Sequence, residues 1–135
     1  MDASARTPTQ PIRRPADELS QLGVELLAAG DALGSAEAFR GAIAADRCHV
    51  EAHHGLIRAL RDAGQFEAAV AAALALTVLT PHDPLAHTSL SIALQKGGHI
   101  PEAEAAAARA RILEWKLQLA MPVEEKEGPG DVSFV

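Results

Sequence analysis

Aromatic side chains are scarce in this sequence: three Phe, one Trp and no Tyr among 135 residues. Domains built on sheets lean on β-branched and aromatic residues, so the scarcity argues against an all-β fold. Cysteine is scarcer still. The single Cys48 excludes an intramolecular disulfide, and with it the class of small secreted domains held by disulfides. Long apolar runs are missing: the longest, 68–79, has 12 residues and one of them is Thr. That is too short to span a bilayer. The first fifteen residues contain no apolar stretch of the kind a signal peptide needs, and Arg13-Arg14 is not followed by one. The expected location is the cytoplasm.

Positive charge is also short. Twelve Lys and Arg face 18 Asp and Glu, for a net charge of −6. The balance is +2 over residues 1–15, −5 over 16–120 and −3 over 121–135. Nucleic-acid binding relies on a cationic footprint and on stacking aromatics, and this chain has neither. The sparse group Arg6, Arg13, Arg14 does not reverse that. What is abundant is alanine, 29 of 135 residues. Alanine is the strongest helix former, so the composition predicts an all-α protein of thin, closely packed helices. The length favours one domain.

Self-similarity organises the chain. Three blocks align without a gap at a period of 34 residues: 16–49, 50–83 and 84–117. Block position 7 holds Leu22, Leu56 and Leu90, and position 11 holds Leu26, Leu60 and Leu94. Residues four apart share one face of a helix, so each pair marks a buried stripe. Position 15 holds Gly30, Gly64 and Gly98, where a first helix must stop. Asp31 and Pro101 suit the start of the helix that follows. Position 20 is small (Ser35, Ala69, Ala103), which lets the second helix approach the first. Pro81 ends the second helix of the second block. Each block therefore predicts a helix–turn–helix hairpin.

This register resembles the tetratricopeptide repeat (TPR) family over 102 of the 135 residues. The chain departs from the family pattern at four positions, one of them position 32, which holds Arg47, Pro81 and Trp115 and so is Pro only in the second block. Position 4 holds Leu19, His53 and His87, position 8 holds Gly23, Ile57 and Ser91, and position 24 holds Phe39, Ala73 and Ala107. The resemblance implies an α-solenoid with a groove lined by the first helix of each pair. It divides the chain into a flexible arm over 1–15, a TPR domain over 16–120 and an acidic flexible tail over 121–135. The apolar side of the last helix extends through Ile112, Leu113 and Leu117, so that helix is expected to reach about residue 120. There it would protect the end of the stack, with Trp115 making up for missing aromatics. A break near Glu114 into a separate short cap is the alternative.

Within that resemblance, positions 2, 5, 9, 12 and 13 face the groove. The residues expected to bind a partner are Val24, Leu27, His54, Arg58, Arg61, Thr88, Ile92, Gln95 and Lys96. The Lys and Asn pattern by which some TPR domains clamp the carboxylate end of heat-shock chaperones is absent. What remains is a groove with apolar and basic places, suited to an extended or helical segment bearing an apolar stripe and an acid. Paired solvated charges, Arg58 and Arg61 with Asp62 and Glu51, are the plainer account.

Other residue clusters carry less. His49 and His53 are four apart with Cys48 and His54 beside them, a spacing that can hold a metal on one helix. His49 falls in a turn, however, and His53 and His87 share one repeat position, so packing explains them. No metal and no cofactor is assigned. No nucleophile has a base and an oxyanion site, so no catalytic residue is assigned either. The second helix of block two is apolar nearly all round, and its outer face, near Ala68, Ala72, Ala75 and Leu79, is open to self-association. The end Val132-Ser133-Phe134-Val135 fits the simplest ligand pattern of strand-adding PDZ domains. The function expected is a protein-binding adaptor or scaffold, bacterial in style with nine Arg to three Lys. The alternatives are a dedicated chaperone, since small acidic three-TPR proteins resemble the chaperones of type III secretion translocators, and a self-associating structural subunit.

Overall fold

The structure, a computed structural model, describes residues 14–122. Nearly all of the expected arm and tail, including the Val132–Val135 pattern, lies outside the described residues. Among the described residues there are six helices and no strand: α1 Pro15–Ala28, α2 Ala32–Ala45, α3 Val50–Asp62, α4 Phe66–Leu79, α5 Pro84–Lys96 and α6 Ile100–Ala120. They fall into two compact units. One ends at Ala63 and contains α1–α3; the other begins at Gly64 and contains α4–α6.

Local chemistry sets the boundaries. Pro15 opens α1, with Asp17 and Glu18 in its first turn, where negative charge meets the positive end of the helix dipole. The helix stops at Gly30, whose φ of +90° is open to glycine at little cost. There the N–H of Asp31 donates to Leu26 O (2.9 Å) and that of Gly30 to Leu27 O (3.0 Å), which satisfies two carbonyls left over by the helix. Gly98 repeats the arrangement after α5, with His99 N donating to Leu94 O at 2.8 Å. Asp31 and Asp83 then cap α2 and α5, accepting from Gly34 N at 2.9 Å and from Leu85 N at 3.0 Å.

In the first unit the core is built around Phe39, which is 1% exposed. Its ring lies between two glycines. A Cβ on Gly23 would stand 2.8 Å from three ring atoms, and one on Gly55 would stand 2.7 Å from Cε2. Both are well inside contact distance, so bare backbone on α1 and α3 makes the slot for the ring. Burial of a Phe side chain contributes roughly 1.5–3 kcal/mol. Beside it, Ser35 Oγ donates to Gly23 O at 2.7 Å and joins α2 to α1. The second unit carries the same bond with donor and acceptor exchanged. Ser91 Oγ on α5 donates to Ala103 O on α6, also at 2.7 Å and also twelve residues apart.

Three expectations need correction. First, α6 runs unbroken through Glu114, and every residue from Glu114 to Met121 is exposed. Trp115 is 62% exposed and makes up for nothing. The reason is length: α5 has 13 residues and α6 has 21, so α6 outruns its neighbour by about two turns. Second, the open side of α4 is the stripe Ala71, Leu74, Ala75 and Val78, with Val78 81% exposed, while Ala68, Ala72 and Leu79 are half-buried. A helix that is apolar all round does not mark its own buried side. Third, Leu22 is exposed, whereas the leucines equivalent to it, Leu56 and Leu90, are buried. None of the helices described is long and apolar enough to cross a membrane.

Candidate functional site

In the first unit α1 packs beside α3. Asp17, Ser20, Val24 and Leu27 fall at i, i+3, i+7 and i+10 and so share one stripe of α1. Glu51, His54, Arg58 and Arg61 form the same stripe on α3. Between the two helices lies a cleft of about 440 Å³, with Asp17, Ser20 and Val24 on one side, His49, Glu51 and Gly55 on the other, and Phe39 beneath. Gly55 both opens this cleft and admits the Phe39 ring.

His49 organises one end of the cleft. It is the N-cap of α3, and its Nδ1 accepts from Ala52 N at 3.1 Å. A nitrogen that accepts carries no proton, so the proton sits on Nε2, which donates to Asp17 Oδ1 at 2.9 Å. One imidazole thus caps α3 and ties it to the first turn of α1. His53 and His87 behave alike: each ring Nε2 lies 2.9 Å from a carbonyl six residues back, Arg47 O and Pro81 O respectively. Cys48 is exposed. Among the described residues no group of three or more His, Cys, Asp or Glu is placed to hold a metal ion.

The other end of the α3 stripe is basic. Arg58 Nε stands 3.8 Å from Asp62 Oδ2, both side chains being largely exposed. A pair of that kind contributes little. Arg61 differs: its Nε is buried and has no hydrogen-bond partner. An unpaired buried donor costs about 1–3 kcal/mol. His54 is half-buried on the same stripe.

The remaining candidates lie in the second unit. Thr88, Ile92 and Gln95 form the equivalent stripe of α5, with Lys96 next to it; Ile92 is half-buried and the other three are exposed. Of the nine candidate residues, only Val24 lines the α1–α3 cleft. Leu27 continues its stripe. His49, Gly55 and Phe39 line the cleft without having been marked in the sequence as binding residues. His49 was hidden because caps are usually Ser, Thr, Asp or Asn. Elsewhere in the second unit, His99 Nε2 meets Glu67 Oε2 at 2.7 Å. The hydrogen bond that His99 donates to Glu67, and then the charge of Glu67, raise the His99 pKa above 6.5.

Comparison with known proteins gives likeness of fold. No protein-family model and no curated protein matches the sequence. The type III secretion chaperone SycD of Yersinia enterocolitica, in complex with a peptide of the translocator YopD, matches with a TM-score of 0.67 and 20% identity, over 82% of this chain and 80% of that one. MamA matches with a TM-score of 0.73 and 20% identity, over 82% of this chain and 60% of that one. The second TPR of Spaghetti (RPAP3), bound to the HSP90 peptide SRMEEVD, matches with a TM-score of 0.67 and 18% identity, over 73% of this chain and 92% of that one. The fold is TPR-like: an all-helical succession of helix–turn–helix repeats, as the 34-residue register implies.

Proposed function

We propose that this chain is a non-catalytic binding module, an adaptor or a dedicated chaperone, that holds a partner segment on its first-helix stripes. The observation that carries the reading is the cleft of about 440 Å³ between the first-helix stripes of α1 and α3, floored by Phe39 and edged by Val24, with the largely exposed Arg58 further along the α3 stripe. Asp17 and Glu51 at the His49 end repel a carboxylate. An acid of the partner therefore belongs at the Arg58–Arg61 end, and an apolar side chain belongs beside Val24 and Leu27. Thr88, Ile92, Gln95 and Lys96 offer a second stripe of mixed character. Two proteins of similar fold, SycD and the RPAP3 repeat, are seen with bound peptides, which supports a peptide-holding role. The single cysteine suits a reducing compartment, and the cytoplasm is the proposed place of action.

The test is capture of a partner by wild type and by the double variant Arg58→Glu, Arg61→Glu, identified by mass spectrometry. A hydrogen bond to a charged group contributes about 1.5–3 kcal/mol, so reversing both charges should lower partner capture by tenfold or more. Equal capture by both proteins removes the Arg58–Arg61 site. A second reading, self-association, is favoured by the open α4 stripe of Leu74 and Val78.

A further inference from the structure

The hairpin of α5 and α6 contains an empty place that its counterpart fills. In the first unit, position 24 of the repeat is Phe39, whose ring lies over Gly23 at position 8. In the second unit, the same two positions are Ala107 and Ser91. The backbones correspond there, because the hydrogen bonds Ser35–Gly23 and Ser91–Ala103 join the same pair of positions at the same distance of 2.7 Å. With Ala in place of Phe, a cleft of about 220 Å³ opens between α5 and α6, lined by Ser91, Gln95, Ile100, Ala103, Glu104 and Ala107. An apolar cavity of about 150 Å³ is enough to take up benzene. Ile100, large and apolar, is 45% exposed at its mouth.

The same side of α6 continues through Arg111 and Trp115, at i+4 and i+8 from Ala107. These two edge a second cleft of about 490 Å³ together with Pro84, Glu114 and Met121. Among the described residues nothing pairs with the Arg111 guanidinium. An aromatic slot is thus followed, one helical turn on, by an unmatched cation.

We infer that the α5–α6 slot is a binding site for an aromatic side chain preceded by a carboxylate, and that its occupant is Phe134 of the same chain. Phe134 is the one aromatic residue beyond Trp115, and Asp131 precedes it by three. The reach fits, and Arg111 is the cation offered to Asp131 on a path that Glu104 and Glu114 otherwise make acidic. Ala107 lies thirteen residues back from Ala120 along α6, about 20 Å at the helical rise. The fourteen residues from Met121 to Phe134 span up to about 46 Å when extended. A segment returning along α6 passes Trp115 and Arg111 before it reaches Ala107. With Phe134 in the slot, Asp131 falls up to about 10 Å back along the path, on the side where Arg111 stands about 6 Å from Ala107. Phe134 thereby supplies the ring that position 24 of this hairpin lacks.

Thiol labelling of the full-length chain tests this. In a Cys48→Ser background, Ala107→Cys places one thiol on the slot floor, where Phe134 would cover it. Adding Phe134→Ala should speed its reaction with a small maleimide by about tenfold or more, the mark of a covered site released, and adding Arg111→Glu should speed it in the same direction. The helical circular dichroism of each variant confirms that it is folded. Labelling that is equally fast with and without Phe134 overturns the inference. Protection that grows with protein concentration also overturns it and assigns the slot to the end of a second copy. A thiol shielded to the same degree in the Phe134→Ala chain shows that the slot is closed by its own walls, which again defeats it.

Discussion

Substitution of Gly55 by Ala tests the packing of the first unit through its sign. In a helix whose side chains meet nothing, Gly→Ala stabilises by about 0.8–1 kcal/mol. Gly55 lies inside α3, so that gain is available to it. Against it stands the Phe39 ring, 2.7 Å from the added Cβ at Cε2. The ring has little room to retreat, because the α1 backbone at Gly23 is also close: a Cβ added there would stand 2.8 Å from three ring atoms. Overpacking of this kind costs typically 1–3 kcal/mol. The net expectation is a loss of up to about 2 kcal/mol. With a urea slope of about 1–3 kcal/mol per molar, a loss of about 2 kcal/mol lowers the unfolding midpoint by about 0.7–2 M, followed by circular dichroism. Hydrogen exchange should localise the loss to α1–α3. In a Phe39→Leu background the obstacle shrinks, and the same Gly55→Ala change should turn neutral or stabilising. The two measurements together form a double-mutant cycle with a coupling of about 1–3 kcal/mol. A Gly55→Ala protein as stable as wild type or more so, or a cycle without coupling, would refute the ring-between-glycines account.

Three further outcomes follow from contacts described above. His49→Ala should cost about 1 kcal/mol by uncapping α3, and His49→Asn should recover most of it; equal urea midpoints for the two variants would count against the cap. The pair of His99 and Glu67 should stabilise in a pH-dependent way. Because the folded His99 holds its proton above pH 6.5, the contribution is complete below that pH and fades as pH rises through the raised value. The midpoint difference between wild type and Glu67→Gln should therefore shrink toward alkaline pH, and a constant difference would contradict it. Leu74→Glu with Val78→Glu should leave stability within about 0.5 kcal/mol of wild type, as for other surface changes. Light scattering on a sizing column should show any larger assembly of the wild type reduced to monomer in the variant; a wild type that is monomeric at all concentrations removes the self-association reading.

Features that depend on a few neighbouring residues were legible in the sequence. Gly30, Gly64 and Gly98 all have positive φ, a conformation that glycine adopts at least cost. Helices α3 and α5 begin at Val50 and Pro84, the first residues of their blocks. Contacts between distant residues were not legible. His49 and Asp17 are 32 residues apart, and neither residue type announces the bridge. Gly55 gives no local sign that an aromatic ring needs its bare backbone. The orientation of α4 escaped because a helix of nearly uniform hydropathy has no period to read. Trp115 misled for a different reason: bulk suggested burial, but the neighbouring helix α5 is too short to cover it. Among the site residues, the stripe of Val24 and Leu27 followed from spacing, whereas the unpaired state of Arg61 depends on what surrounds its Nε.

The exchanged hydroxyls of the two outer hairpins carry a consequence for which sequences this fold accepts. A Ser at position 8 needs a Cβ, and in the first hairpin that Cβ would meet the Phe39 ring at 2.8 Å. The hydroxyl there must come from the opposite helix, as it does at Ser35. In the last hairpin Ala107 leaves the space clear, and Ser91 can supply it instead. An aromatic at position 24 and a serine at position 8 are therefore alternatives within one hairpin. Designed or diverged copies of this chain that graft Phe onto position 107 should have to move the serine across to position 103.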